Sequence, residues 1–123
     1  MNCFAKFLSG RIASFAHALR GLGEAIRTQT NARIHMVAST LVVALGLGLG
    51  ISALEWAAVI SAIALVWMAE LLNTAIEILC DIIQPEYSEK VKRAKDVAAA
   101  AVLAAAIGAA LIGALVFLPY LTG

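Results

Sequence analysis

Four regimes of apolar and polar positions follow one another along the chain. In residues 4–27, Phe4, Phe7, Leu8, Ile12, Phe15, Leu19, Leu22 and Ile26 recur at steps of three and four, which places them on one face of a helix. Lys6, His17, Arg20, Glu24 and Arg27 fall on the opposite face. A basic face with an aromatic and aliphatic underside predicts an amphipathic helix, about residues 4–30, lying in a membrane interface. Arg11 departs from the pattern: at 100° per residue it falls near the apolar face, as a snorkelling side chain or as part of a site.

Residues 36–54 carry no charge, and at 1.5 Å per residue they span roughly 28 Å, about one hydrocarbon core. Gly46, Gly48 and Gly50 in this stretch allow close helix contact or loosen its outer end. A second apolar stretch starts near Glu55-Trp56, with Trp56 as an interfacial anchor, and runs to about Ile83. A third begins near Lys95-Asp96 and is uncharged from Val97 to Gly123. Its Ala101, Ala105, Ala109 and Gly113 form the small-xxx-small ridge that lets helices pack closely in lipid. The spans are placed at about 34–54, 55–83 and 93–120, within a single domain covering 1–123. Pro85 marks the turn between the second and third.

Composition agrees. The chain of 123 residues is 63% hydrophobic and 14% charged, too little polar surface to coat a soluble domain of this size. A net charge of +1 gives no reason to expect a nucleic-acid partner. Cys3 and Cys80 lie in different segments at no ligand spacing and read as free thiols. No signal peptide is visible, because the N-terminal stretch carries charges every few residues and has no apolar h-region.

The basic residues set the expected topology. Lys6, Arg11, Arg20, Arg27 and Arg33 precede the first span; Lys90, Lys92, Arg93 and Lys95 lie between the second and third. The loop between the first two spans and the C-terminal tail have none. The positive-inside rule therefore predicts a plasma-membrane protein with a cytoplasmic N-terminus and an external C-terminus.

Only the second span holds ionisable residues within its apolar pattern. Glu70, Asn73, Glu77 and Asp81 are spaced three, four and four, a helical stripe less than roughly 100° wide. Counting from Glu55 as the outer interface, Glu70 lies about 22 Å in and Glu77 about 33 Å, against a core of roughly 30 Å. A carboxylate at that depth costs on the order of 3 kcal/mol, so its presence points to a function. The plain alternative is a structural pair with a basic residue of another helix. Two carboxylates a turn or two apart can divide phosphoryl transfer between them, one as base and one holding Mg²⁺. Asn73 orients an oxygen between them without adding charge. Lys95, opening the third span on the same side, can neutralise phosphate or act simply as an interfacial anchor. No glycine-rich phosphate loop is present, so a nucleotide must be held in another way.

The run from Ala69 to Glu77 (AELLNTAIE), followed by Asp81, Glu86-Tyr87 and Ala94-Lys95-Asp96-Val97, closely resembles the bacterial diacylglycerol kinase and undecaprenol kinase family. The resemblance extends upstream through Ser14-Phe15, Gly21 and Asn31-Ala32-Arg33-Ile34-His35. It implies an all-α membrane protein of three transmembrane helices plus an N-terminal surface helix, assembled as a homotrimer. Its active sites would lie at the cytoplasmic membrane face, partly across subunit contacts. It implies a kinase that uses MgATP to phosphorylate the hydroxyl of a lipid. By motif position Glu70 resembles the catalytic base and Glu77 a Mg²⁺ ligand. Asn73, Lys95 and Asp96 would position phosphate and metal, with Glu86 near the nucleotide; Arg11 joins these as a cofactor-binding candidate. Many members carry Glu at the position of Gln29, where it resembles a second metal ligand, and some place His at the position of Ser88. Undecaprenol is the expected acceptor, because the Thr28–His35 segment looks more like the polyprenol-type branch, and diacylglycerol is the alternative. A small transporter using Glu70 as carrier site is the rival from another class, and a non-catalytic assembly partner is the third reading.

Overall fold

The computed structural model describes residues 2–123, which form four α-helices: α1 (Cys3–Thr28), α2 (Thr30–Leu49), α3 (Ala53–Ile83) and α4 (Glu89–Thr122). Asn2 starts α1, its side chain accepting from the Ala5 N–H at 2.8 Å. The amphipathic stretch and the first span meet at one residue. Gln29 alone is extended (φ −110°, ψ 120°), and α2 begins at Thr30, nearly two turns before the charge-free stretch opens at Met36. The apolar stripe of α1 is uncovered: Phe4, Phe7, Ile12, Phe15 and Leu19 are exposed, while Ala25 near its C-terminus is fully buried.

The connection from α2 to α3 is built by glycine and a capping box. Gly50 takes the left-handed conformation (φ 64°), where a Cβ would be strained, and its N–H donates to the Gly46 carbonyl at 3.0 Å. Ser52 then caps α3, accepting from the Glu55 N–H at 3.2 Å while Glu55 accepts from the Ser52 N–H at 2.8 Å. Gly46 is required for packing as well, since a Cβ there would lie 2.8 Å from Cη2 of Trp56. Gly48 meets nothing within 4 Å. Trp56 thus lies half-buried against α2 and the cluster of Ile51, Val59, Val116 and Phe117. Tyr120 donates to Glu55 at 2.6 Å and ties the far end of α4 to the same corner.

α2, α3 and α4 are long and apolar enough to cross a membrane. Short connections run them alternately up and down, and α3 packs most extensively along α4. Their outward faces, including Leu41, Leu47, Ile60, Leu65, Leu103, Leu111 and Leu115, are apolar and exposed. A water-soluble domain could not present so much contiguous apolar surface. The small-residue ridge of α4 is only partly used: Ala101 is exposed, and Ala109 and Gly113 line an apolar cavity of about 310 Å³ between α2, α3 and α4.

Candidate functional site

α3 carries the polar stripe into the bundle. Glu70 is the largest fully buried side chain, at 0% exposure, with Asn73 and Thr74 also buried. The Thr74 hydroxyl donates to the Glu70 carbonyl at 2.9 Å, a back-bond that satisfies the hydroxyl and leaves the carboxylate untouched. Asn73 Nδ2 donates to Glu77 Oε1 at 3.4 Å, so the amide and the second carboxylate share one side of the helix, as their spacing requires. Both Glu70 carboxylate oxygens and Asn73 Oδ1 lack a hydrogen-bond partner. Buried polar atoms are ordinarily paired, and orphans at one place mark a site built to receive another group.

α2 faces this stripe. His35 Nε2 on this face lies 3.7 Å from Glu70 Oε2 and is likewise unpartnered. One turn further on, Trp67 Nε1 donates to Ser39 Oγ at 3.1 Å, and Ser39 donates to the His35 carbonyl at 2.6 Å. These bonds register α2 against α3. His35 was missed as a site residue by sequence reasoning. It lies inside the quoted motif, but a polar residue at the start of a span reads equally well as an interfacial one.

Toward the α3–α4 connection the site becomes open. Glu86, Lys95 and Asp96 line one pocket of about 290 Å³ together with Asp81, Tyr87 and Ser88. Lys95 Nζ donates to Asp81 Oδ1 at 2.6 Å, bridging the two helices, whereas Asp96 accepts from Lys92 at 2.8 Å on its own helix. Tyr87 donates to Glu89 at 2.7 Å, and this bond raises its phenol above the ordinary range. Lys95 and Asp96 are therefore neighbours in sequence that engage different partners. Arg11 lies apart on α1, its guanidinium 5.7 Å from the centroid of the Phe7 ring. Gln29 sits half-buried at the α1–α2 junction, where its side chain makes no capping bond to α2.

Among the described residues no three His, Cys, Asp or Glu side chains converge to form a metal centre. Mg²⁺ needs less, taking one or two carboxylates with phosphate oxygens and waters completing its shell. The Glu77 carboxylate is an oxygen donor of that kind; it is Nδ2 of Asn73 that faces it, and the unpartnered Asn73 Oδ1 is a second buried oxygen one turn away on α3.

Fold and site together define a multi-pass helical membrane protein with a buried acid near the polar end of its bundle. The sequence profile described as prokaryotic diacylglycerol kinase matches residues 16–117, and the chain belongs to that family of membrane lipid kinases. It is 41% identical to an undecaprenol kinase of Bacillus subtilis (strain 168) over 88% of each chain. It is 37% identical to a diacylglycerol kinase of Escherichia coli (strain K12), over 75% of each chain, and 35% identical to one of Haemophilus influenzae, over 77% of this chain and 80% of that one. The carrier and assembly-partner readings of Glu70 give way to this family assignment.

Proposed function

We propose that the protein transfers the γ-phosphoryl group of ATP to the hydroxyl of undecaprenol at the cytoplasmic membrane face. The observation that carries this reading is Glu70, a fully buried carboxylate with two unpartnered oxygens; counted from Glu55 it falls at about the depth of a lipid hydroxyl. Glu70 takes the proton of the hydroxyl; the oxygen bonds to the γ-phosphorus in line as the bond to the β-phosphate oxygen breaks and ADP leaves. Glu77 would hold Mg²⁺, with Asn73 Oδ1 and Gln29 as further oxygens. Bound there, the ion would neutralise charge on the phosphate oxygens. Lys95 offsets phosphate charge in the α3–α4 pocket, oriented by its bond to Asp81, and Glu86 and Asp96 line the nucleotide side. Arg11 is the least supported of the cofactor-binding candidates, because its guanidinium is engaged on its own helix.

Undecaprenol is favoured over diacylglycerol by the higher identity and fuller coverage of the Bacillus relative. α1 rests its uncovered aromatic stripe in the membrane interface. The assembly is a homotrimer around α3, on which Leu54, Leu65, Met68, Leu72, Leu79 and Ile82 are exposed. With Ala58, Ser61 and Ala75 these form a repeat of threes and fours, roughly opposite the acidic stripe and suited to parallel self-association. Reconstitution into vesicles containing undecaprenol or diacylglycerol, with ADP release followed, tests the reading. Release that depends on undecaprenol supports it. Release only with diacylglycerol changes the acceptor, and no lipid-dependent release overturns the kinase assignment.

A further inference from the structure

His35 has no task in the reaction as described, yet it stands at its centre. Its side chain is 16% exposed, that of Glu70 is 1% exposed, and Nε2 and Oε2 face each other across 3.7 Å. Neither Nε2 nor either Glu70 oxygen has another partner. That gap is under an ångström longer than a charge-assisted hydrogen bond of about 2.8 Å, within reach of a small side-chain rotation. The backbone of His35 is held by the Ser39 hydroxyl, itself bound by Trp67, so the ring stays opposite Glu70 while keeping freedom about its own torsions. His35 also lines the apolar cavity of about 310 Å³, together with Val66, Ala109 and Gly113. Glu70 does not.

We propose that His35 is the positioning residue of the phosphoryl-transfer site. Its Nε2–H donates to one oxygen of Glu70 and leaves the other aimed at the acceptor hydroxyl. The inference rests on Glu70 being the base. A carboxylate with two unpartnered oxygens has no hydrogen bond to fix its terminal torsion, and a misplacement of about 1 Å at a reacting group costs up to 10²-fold in rate. The donor on α2 removes that freedom, and its tether through Ser39 to Trp67 transmits the registry of the helices to the base.

The test is a series at position 35 in the full-length protein, with kcat and both KM values measured for lipid alcohol and ATP. His35→Gln carries an amide N–H about as far from the backbone as Nε2; His35→Asn reaches only as far as Nδ1; His35→Leu has no donor. His35→Leu and His35→Asn should each lower kcat about 10- to 100-fold with both KM values within about twofold, and His35→Gln should keep at least about a third of kcat. In a Glu70→Gln background, His35→Leu should cause no further loss. Wild-type kcat in His35→Leu, equal damage in His35→Gln and His35→Asn, or a change confined to KM would overturn the proposal. The Gln and Asn pair decides the matter if His35→Leu fails to fold, since both are polar and differ only in reach. An active Glu70→Gln enzyme refutes the base assignment itself. An inactive one beside a fully active His35→Leu refutes only the positioning role.

Discussion

Replacing Glu70 by Gln separates what the acid does for catalysis from what it does to stability. The side chain is fully buried, its oxygens have no hydrogen-bond partner, and its nearest cation candidate is His35 at 3.7 Å. An ionised carboxylate so placed within the hydrocarbon core costs on the order of 3 kcal/mol on insertion scales, and the site does little to offset it. Gln keeps the volume, removes the charge and still presents an oxygen and an amide. Because the amide must also be desolvated, the net gain in stability should be about 1–2 kcal/mol rather than the whole 3. Catalysis should move the other way. A positioned general base contributes about 10²–10⁴-fold, and an amide cannot accept the hydroxyl proton. Two assays on one detergent-purified sample check this: ADP release with saturating lipid alcohol, and the thermal midpoint of unfolding. A rate within about tenfold of wild type would show that another group takes the proton. A lowered midpoint would show that the His35 contact offsets more than the desolvation of the carboxylate, and the energetic reasoning would fail.

Glu77→Gln should lower activity and recover part of it in excess Mg²⁺ or Mn²⁺, since mass action refills a weakened metal site; a loss indifferent to metal would show that Glu77 is no ligand. Gln29→Glu should lower the Mg²⁺ concentration giving half-maximal rate, and an unchanged or raised requirement would place residue 29 away from the metal. Gly46→Ala should destabilise by about 1–2 kcal/mol, because the new Cβ lies 2.8 Å from the rigid Trp56 ring. Gly48→Ala, with open space around it, should instead stabilise by about 0.5–1 kcal/mol; equal effects at the two positions would contradict the packing described. In a Cys3→Ala/Cys80→Ala background, Ser52→Cys should label from outside the cell and Ser88→Cys only after permeabilisation, whereas the reverse pattern would invert the topology.

The sequence by itself determined the features that depend on periodicity and solvation. Apolar runs long enough to cross a bilayer became α2, α3 and α4, because backbone polar groups in lipid must be satisfied within the helix. The three- and four-residue steps placed Glu70, Asn73 and Glu77 on one face of α3, since any α-helix would do so. Glu55 was readable as marking the start of the second apolar stretch, though its bonds to Ser52 and Tyr120 were not. Contacts between elements were decided only by the tertiary structure. Residues 35 and 70, or 39 and 67, meet because antiparallel helices are held at one particular registry, and helical period carries no information about registry between helices. The same cause separates Lys95 from Asp96, adjacent in the chain but about 100° apart on α4, so that one reaches Asp81 on α3 and the other turns back to Lys92. Gly46 read as one of three similar glycines until the Trp56 ring closed over it alone. Local repetition is written along a sequence, whereas the opposition of two side chains depends on where separate helices come to rest.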